Sequence, residues 1–149
     1  MFPTQAIIDQ LAALLAADAT TIDNAVLCKV ALVKAPFTPG PFLLPADLTL
    51  SDFGGSTPKA LGAVPGPLFK DPTTGQWIIQ LDEPAGGWHW QTTGAALLPQ
   101  TVYGFALFNN GLTILYGTEL LPTPIVLTGF PQGFDVPDVR FTLNQSPLT

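Results

Sequence analysis

The stretch that most constrains the fold is Thr101–Leu121, where two apolar runs flank the turn sequence Asn109-Asn110-Gly111. Both runs are rich in aromatic and β-branched residues, which favour strands. The residue types between them tolerate positive φ, as tight hairpin turns require. We therefore predict an antiparallel hairpin in which residues 102–108 pair with residues 113–119.

Both faces of the first predicted strand are apolar. Alternation places Val102, Ala106 and Phe108 on one face. The other face would carry Tyr103, Phe105 and Leu107. A strand that is apolar on both sides is normally covered on both sides. We expect a sheet, a helix or a neighbouring subunit to provide each cover.

The rest of the chain resembles this hairpin in its alternation of short apolar segments with turns. The chain has 149 residues, with sixteen prolines and fourteen glycines, which suits short strands and many turns. The pattern predicts a mainly β protein, an antiparallel β-sandwich or jelly-roll-like domain. Pro122 and Pro124 are expected to end one strand before another begins at Ile125. The strand candidates outside the hairpin are Ala25–Val33, Lys59–Val64, Gln76–Asp82, Trp88–Trp90, Ile125–Leu127 and Val139–Leu143.

One α-helix is predicted at the N-terminus, over Thr4–Ala17, with Thr4 as its cap. Its apolar residues recur at helical spacing and form one stripe. This stripe consists of Ile7, Ile8, Leu11, Leu14 and Leu15. This stripe packs either on the chain's own sheet or on another subunit. In the second case its five residues would form an oligomer contact. We divide the chain into residues 1–24, the helix and a connection, and residues 25–149, the β-sandwich domain.

The composition is unusual in having few charges. Apolar residues make up 47% of the chain and the mean hydropathy is +0.37, whereas only 11% of residues are charged. An ordinary soluble domain has roughly 25%. So few charges leave apolar patches exposed on a monomer, and such patches commonly mark contacts with partners.

The charge and the single cysteine exclude several classes of protein. The net charge is −6, from eleven acidic and five basic residues. Binding to nucleic acid or to an anionic membrane needs clusters of Lys and Arg, which are lacking here. No apolar run has transmembrane length. Cys28 is the only cysteine, so the chain cannot form an internal disulfide.

Catalytic patterns are also lacking. The chain has one histidine, no Gly-x-Ser-x-Gly segment and no cluster of metal-ligand residues. The close acidic pairs Asp82-Glu83 and Asp135/Asp138 could line a calcium site or act on a glycosidic bond, but such pairs usually lie in solvated turns. We expect a protein that is not an enzyme and that uses no cofactor or metal.

The segment Trp88-His89-Trp90 is the candidate small-molecule site. In an extended segment the two tryptophans share one side and His89 points to the other. The indole rings could stack on sugar rings, with His89 as a polar contact. Alternatively, the two rings fill the core of the sandwich or a contact between subunits.

In the segment Ala25–Gly62 a strand is followed by Phe37-Thr38-Pro39 and then by Ala46-Asp47-Leu48-Thr49, with Phe53-Gly54 after them. This order resembles small structural proteins of tailed bacteriophages. A tryptophan-containing strand and a Gly-containing hairpin come later in such chains, as Trp77 and Tyr103–Tyr116 do here.

This resemblance implies a structural role in a virion, as a capsid decoration protein or as a minor head or tail component assembled in the host cytoplasm. The partners would be further copies of the chain, as a trimer or larger, and other virion proteins. The helix stripe and the Pro-rich loops 36–45 or 122–131 would lie at contacts. The alternative is a carbohydrate-binding β-sandwich that uses Trp88 and Trp90.

Overall fold

The computed structural model describes residues 1–7, 21–22, 29–61, 66–70, 72–74, 77–80, 83–84, 86–136 and 139–143. These residues form a mainly β protein whose strand pairs are all antiparallel. The strands are β1 (Phe2–Pro3), β2 (Thr21–Ile22), β3 (Lys29–Val33), β4 (Lys59–Ala60), β5 (Gly66–Lys70), β6 (Trp77–Gln80), β7 (His89–Gln91), β8 (Gln100–Phe108), β9 (Leu115–Leu127), β10 (Gly133–Asp135) and β11 (Arg140–Leu143).

The strands form three sheets. The largest has the order β1-β9-β8-β3-β4, the second has the order β11-β6-β5-β2, and β10 pairs with β7 in a small third sheet. The predicted fold class, mainly β with a sandwich-like core, is confirmed; the jelly-roll topology stays a prediction. The strands β1, β2, β5 and β10 were not predicted, since they are short or lie in segments rich in Pro and Gly.

The predicted hairpin is present as β8 and β9, with Phe108 opposite Leu115. Its turn is longer than the sequence indicated and runs to Ile114. The side-chain oxygen of Asn109 accepts hydrogen bonds from the backbone N–H groups of Thr113 and Ile114, at 2.8 and 3.0 Å. Positive φ is found at Leu112 (57°) and not at Asn109–Gly111, and the Leu112 side chain packs against the neighbouring apolar cluster.

The prediction that Pro122 and Pro124 separate two strands is wrong, because β9 continues through both. Leu120 lies opposite Gly104 and Ile125 lies opposite Val102, so residues 121–124 face Tyr103 alone. This bulge holds the prolines where no ladder hydrogen bond is required of them. It also breaks the alternation in β8: Val102 packs with Phe105 and Leu107, on the face opposite to the one predicted.

Both faces of the large sheet are covered, as the hairpin predicted. On one face Val30, Leu32, Phe105 and Leu107 pack with residues of the β7/β10 sheet and with Ile7. On the other face Ala31, Val33, Ala106 and Phe108 pack under the Pro-rich segment of residues 37–50. That segment contains a single turn of 3₁₀ helix, Pro45–Asp47. The apolar residues that it places over the sheet are Phe37, Leu43, Leu48 and Leu50.

The N-terminal residues are part of the same core. β1 pairs with β9, and residues 5–7 are helical. Thr4 donates its hydroxyl hydrogen to the Leu115 carbonyl, and its N–H donates to the Tyr116 carbonyl at 2.8 Å. Ile7 is fully buried in the chain's own core. The rest of the predicted helix and of its stripe, including Ile8, Leu11, Leu14 and Leu15, lies outside the described residues, as does Cys28; the division at residue 24 stays a prediction.

Candidate functional site

The two tryptophans of the predicted sugar site are buried. Trp88 and Trp90 lie on one side of the strand segment, as expected, and are only 5% and 1% exposed. Their rings stack at 6.4 Å between centroids, and Trp90 stacks in turn on Phe134 at 6.3 Å. In this subunit the ring faces are occupied by core side chains, in agreement with the alternative that the two rings fill the core.

Polar partners hold Trp90 in place. Its indole N–H donates to the carbonyl of Thr57 at 3.2 Å, and the Lys59 ammonium lies 5.5 Å from its ring centroid. The indole N–H of Trp88 has no acceptor in the described part of the chain. Trp90 thus ties β7 to the segment before β4, whereas Trp88 contributes apolar volume.

His89 is exposed on the opposite side of β7 and pairs with an acidic residue. Its Nδ1 lies 2.8 Å from Oδ1 of Asp135, directly across the strand pair. The ring also lies over Gly133, where a Cβ would come within 2.8 Å of it. Among the residues described, no three His, Cys, Asp or Glu side chains come together as a metal site would require. Asp82 and Asp138 of the predicted acidic pairs lie outside the described residues.

An apolar groove lies at the turn end of the hairpin. We call it the turn-end groove; it has a volume of about 250 Å³ and is lined by residues 4–6, 41–45 and 113–115. Its rim carries Phe42, Leu44 and Ile114, which are 82%, 62% and 43% exposed. None of the lining residues is ionisable. Large apolar side chains this exposed are an unusual feature of a monomer when they lie together.

Specific hydrogen bonds fix the rim of the turn-end groove. The N–H of Gln5 donates to the Pro41 carbonyl at 2.9 Å, which joins the N-terminal residues to the Pro-rich segment. The N–H of Leu44 donates to Oδ2 of Asp47 at 2.8 Å. Ile114 is held by Asn109, as described above. The backbone around the groove is therefore held by hydrogen bonds in all three segments that line it.

A second set of exposed apolar side chains lies at the other end of the hairpin. Leu97 precedes β8, Val126 is near the end of β9 and Phe130 follows it; they are 61%, 54% and 58% exposed. We call these three residues the open-end patch. The loops that carry them are joined, because the Thr92 hydroxyl donates to the Gly129 carbonyl at 2.8 Å and the Thr92 N–H donates to the Gln132 carbonyl at 3.0 Å.

Sequence reasoning predicted contacts in the Pro-rich segments 36–45 or 122–131, which contain Phe42, Leu44, Val126 and Phe130, although residues 122–127 belong to β9 and not to a loop. It missed Leu97 and Ile114. An exposed leucine or isoleucine has the same sequence signature as a buried one. The positive φ of Leu97 (62°) could not be read from its residue type either.

The comparisons with known proteins add no assignment. No helix in the described residues is both long enough and apolar enough to cross a membrane. No protein-family model, no curated protein and no solved structure matches this chain.

Proposed function

We propose that this chain is a non-enzymatic structural subunit that works in a homomeric assembly, as a trimer or larger. The observation that carries the proposal is the turn-end groove, with three large apolar side chains exposed on an ordered, uncharged rim. A second copy of the chain is the occupant that we assign to it.

The exposed area supports this role. A fully exposed side chain of this size presents on the order of 150–200 Å², so Phe42, Leu44 and Ile114 together present about 350 Å² at their observed exposure. A standard interface buries about 800 Å² per partner, of which a little over half is apolar. Three side chains thus supply most of the apolar area that a stable contact needs.

The setting that we propose for the assembly is a virion, where the chain would be a decoration protein or a minor head or tail component. This part of the proposal comes from the resemblance of Ala25–Gly62 to phage structural proteins. It agrees with the low charge and the long apolar hairpin. Mass spectrometry of purified particles, together with particles from a deletion strain, is the direct test of the setting.

Light scattering coupled to size exclusion tests the assembly itself. The wild-type chain should be an oligomer at high micromolar concentration, and Phe42→Glu and Leu44→Glu should release monomers with an unchanged melting temperature. The matched control is Leu120→Glu, which places the same charge at an exposed apolar residue outside the groove. A wild-type chain that is monomeric throughout this range would refute the proposal.

A further inference from the structure

We infer that copies of this chain join head to tail, with the open-end patch of one copy seated in the turn-end groove of the next. The inference rests on the proposed function and names the two surfaces that meet. It is carried by the position of the two surfaces, by their match in area and charge, and by the backbone of Leu97.

The two surfaces lie at opposite ends of the same hairpin. Ile114 lies in the turn between β8 and β9, whereas Leu97 and Phe130 lie three residues beyond the paired ends Gln100 and Leu127. The nine residues of β8 span eight rises of about 3.3 Å, so roughly 26 Å of strand separate the two ends. The patch of one copy therefore cannot reach the groove of the same copy, so any contact between these two surfaces joins different molecules.

The two surfaces are similar in exposed apolar area, and both lack ionisable side chains. One is a groove, whereas the other consists of side chains that stand on turns or at a strand end. At their observed exposure Leu97, Val126 and Phe130 present about 300 Å² by the same estimate, close to the area on the groove rim. Neither set contains an ionisable side chain, so seating one on the other buries no charge.

The backbone of Leu97 gives an independent reason. The left-handed region is unfavourable for a residue other than glycine, and Leu97 adopts it at φ 62°. Leu112 has a similar φ, but it packs its side chain on an apolar cluster of the same subunit. Leu97 instead exposes most of its side chain to solvent, while its carbonyl accepts a hydrogen bond from Nε2 of Gln100 at 3.4 Å. A residue held in this way is expected where a partner buries it.

A contact between two different surfaces generates a ring or an open filament, rather than a symmetric dimer. The arrangement predicts that a copy with a damaged groove still has an intact patch. A copy with a damaged patch likewise still has an intact groove. Two differently damaged copies can therefore still join each other in a head-to-tail arrangement, whereas they could not if groove paired with groove.

The test mixes two blocked variants. Phe42→Glu damages the groove and Phe130→Glu damages the patch, so each alone should be monomeric by light scattering. Their 1:1 mixture should form a heterodimer and stop there, since only one intact pair of surfaces remains. Leu120→Glu again serves as the control and should assemble as the wild type does.

Each result has a distinct meaning. If Phe130→Glu alone forms oligomers, or if the mixture stays monomeric while the wild type is oligomeric, the head-to-tail contact is refuted and the proposed function stands. If the wild type is monomeric, both the head-to-tail contact and the proposed function are refuted. A second variant, Leu97→Asn, controls for misfolding, because asparagine tolerates the left-handed region. It should weaken assembly at least tenfold without lowering the melting temperature. A drop in melting temperature with assembly unchanged would overturn the role of Leu97.

Discussion

Gln100 and Asp52 exchange two hydrogen bonds across 48 residues of chain. The Asp52 N–H donates to Oε1 of Gln100 at 3.2 Å, and Nε2 of Gln100 donates to Oδ1 of Asp52 at 2.7 Å. Lys34 adds an ion pair, with Nζ at 2.6 Å from Oδ2 of Asp52. The three side chains join the end of β3, the loop at residue 52 and the start of β8.

Asp52 predicts an acid-dependent loss of stability. The hydrogen bond from Lys34 lowers the pKa of Asp52 below its ordinary value of 3.8, with a further contribution from Gln100. Since the folded state holds the carboxylate more tightly, its stabilisation is complete above the ordinary pKa and is lost as the pH falls through the lower pKa of the folded state. Asp52→Asn should therefore lower the urea midpoint slightly at neutral pH, and this effect should shrink as the pH falls below the ordinary pKa of the carboxyl.

The control for this prediction removes the cation. In a Lys34→Gln background, Asp52→Asn should have a smaller effect at neutral pH, because the ion pair is already absent. An equal effect in both backgrounds would show that Lys34 does not contribute.

Gly104 is predicted to be irreplaceable in β8. A Cβ at this residue would collide with the Glu119 carbonyl oxygen and lie 3.0 Å from two ring atoms of Phe37. Gly104→Ala should lower the free energy of unfolding by about 1–3 kcal/mol, as overpacking usually does. Chemical denaturation measures this, with Gly129→Ala as the control, since a Cβ there meets nothing within 4 Å. Equal stability of the two variants would contradict the observed packing.

Trp88 and Trp90 should respond differently to the same substitution. Trp90→Phe loses the hydrogen bond to Thr57 and the contact with Lys59, whereas Trp88→Phe loses no hydrogen bond to a described residue. We expect Trp90→Phe to be more destabilising by about 1–2 kcal/mol. Thermal and urea unfolding measure the difference. Glycan-array binding that disappears in both variants, with folding unchanged, would revive the carbohydrate hypothesis.

Asn109 should couple the stability of the hairpin to assembly. Its side-chain oxygen accepts from Thr113 and Ile114, and its Nδ2 donates to the Thr113 hydroxyl at 2.9 Å. Asn109→Ala should lower the free energy of unfolding by about 1–2 kcal/mol and weaken assembly, because Ile114 is no longer fixed on the groove rim. Asn109→Asp keeps both acceptor bonds and should lie closer to the wild type in both measurements. Loss of assembly in Asn109→Asp alone would point to charge rather than turn geometry.

The sequence predicted the hairpin because its signal is local: apolar alternation on either side of turn residues. It also predicted which way Trp88, His89 and Trp90 point, since two-residue periodicity decides this. It failed on the bulge at residues 121–124, because a bulge depends on the partner strand as well as on the prolines. It could not predict the turn-end groove, which brings together segments that are distant in the chain.

The two-sided cover of the hairpin has a consequence for synthesis on the ribosome. A strand that is apolar on both faces would aggregate if it emerged first and waited for its covers. Here the segment of residues 37–50, which covers one face, and β7, which lies on the other face, are translated before β8, as is its neighbouring strand β3. When the hairpin emerges, most of the surface that will bury it has therefore already been made.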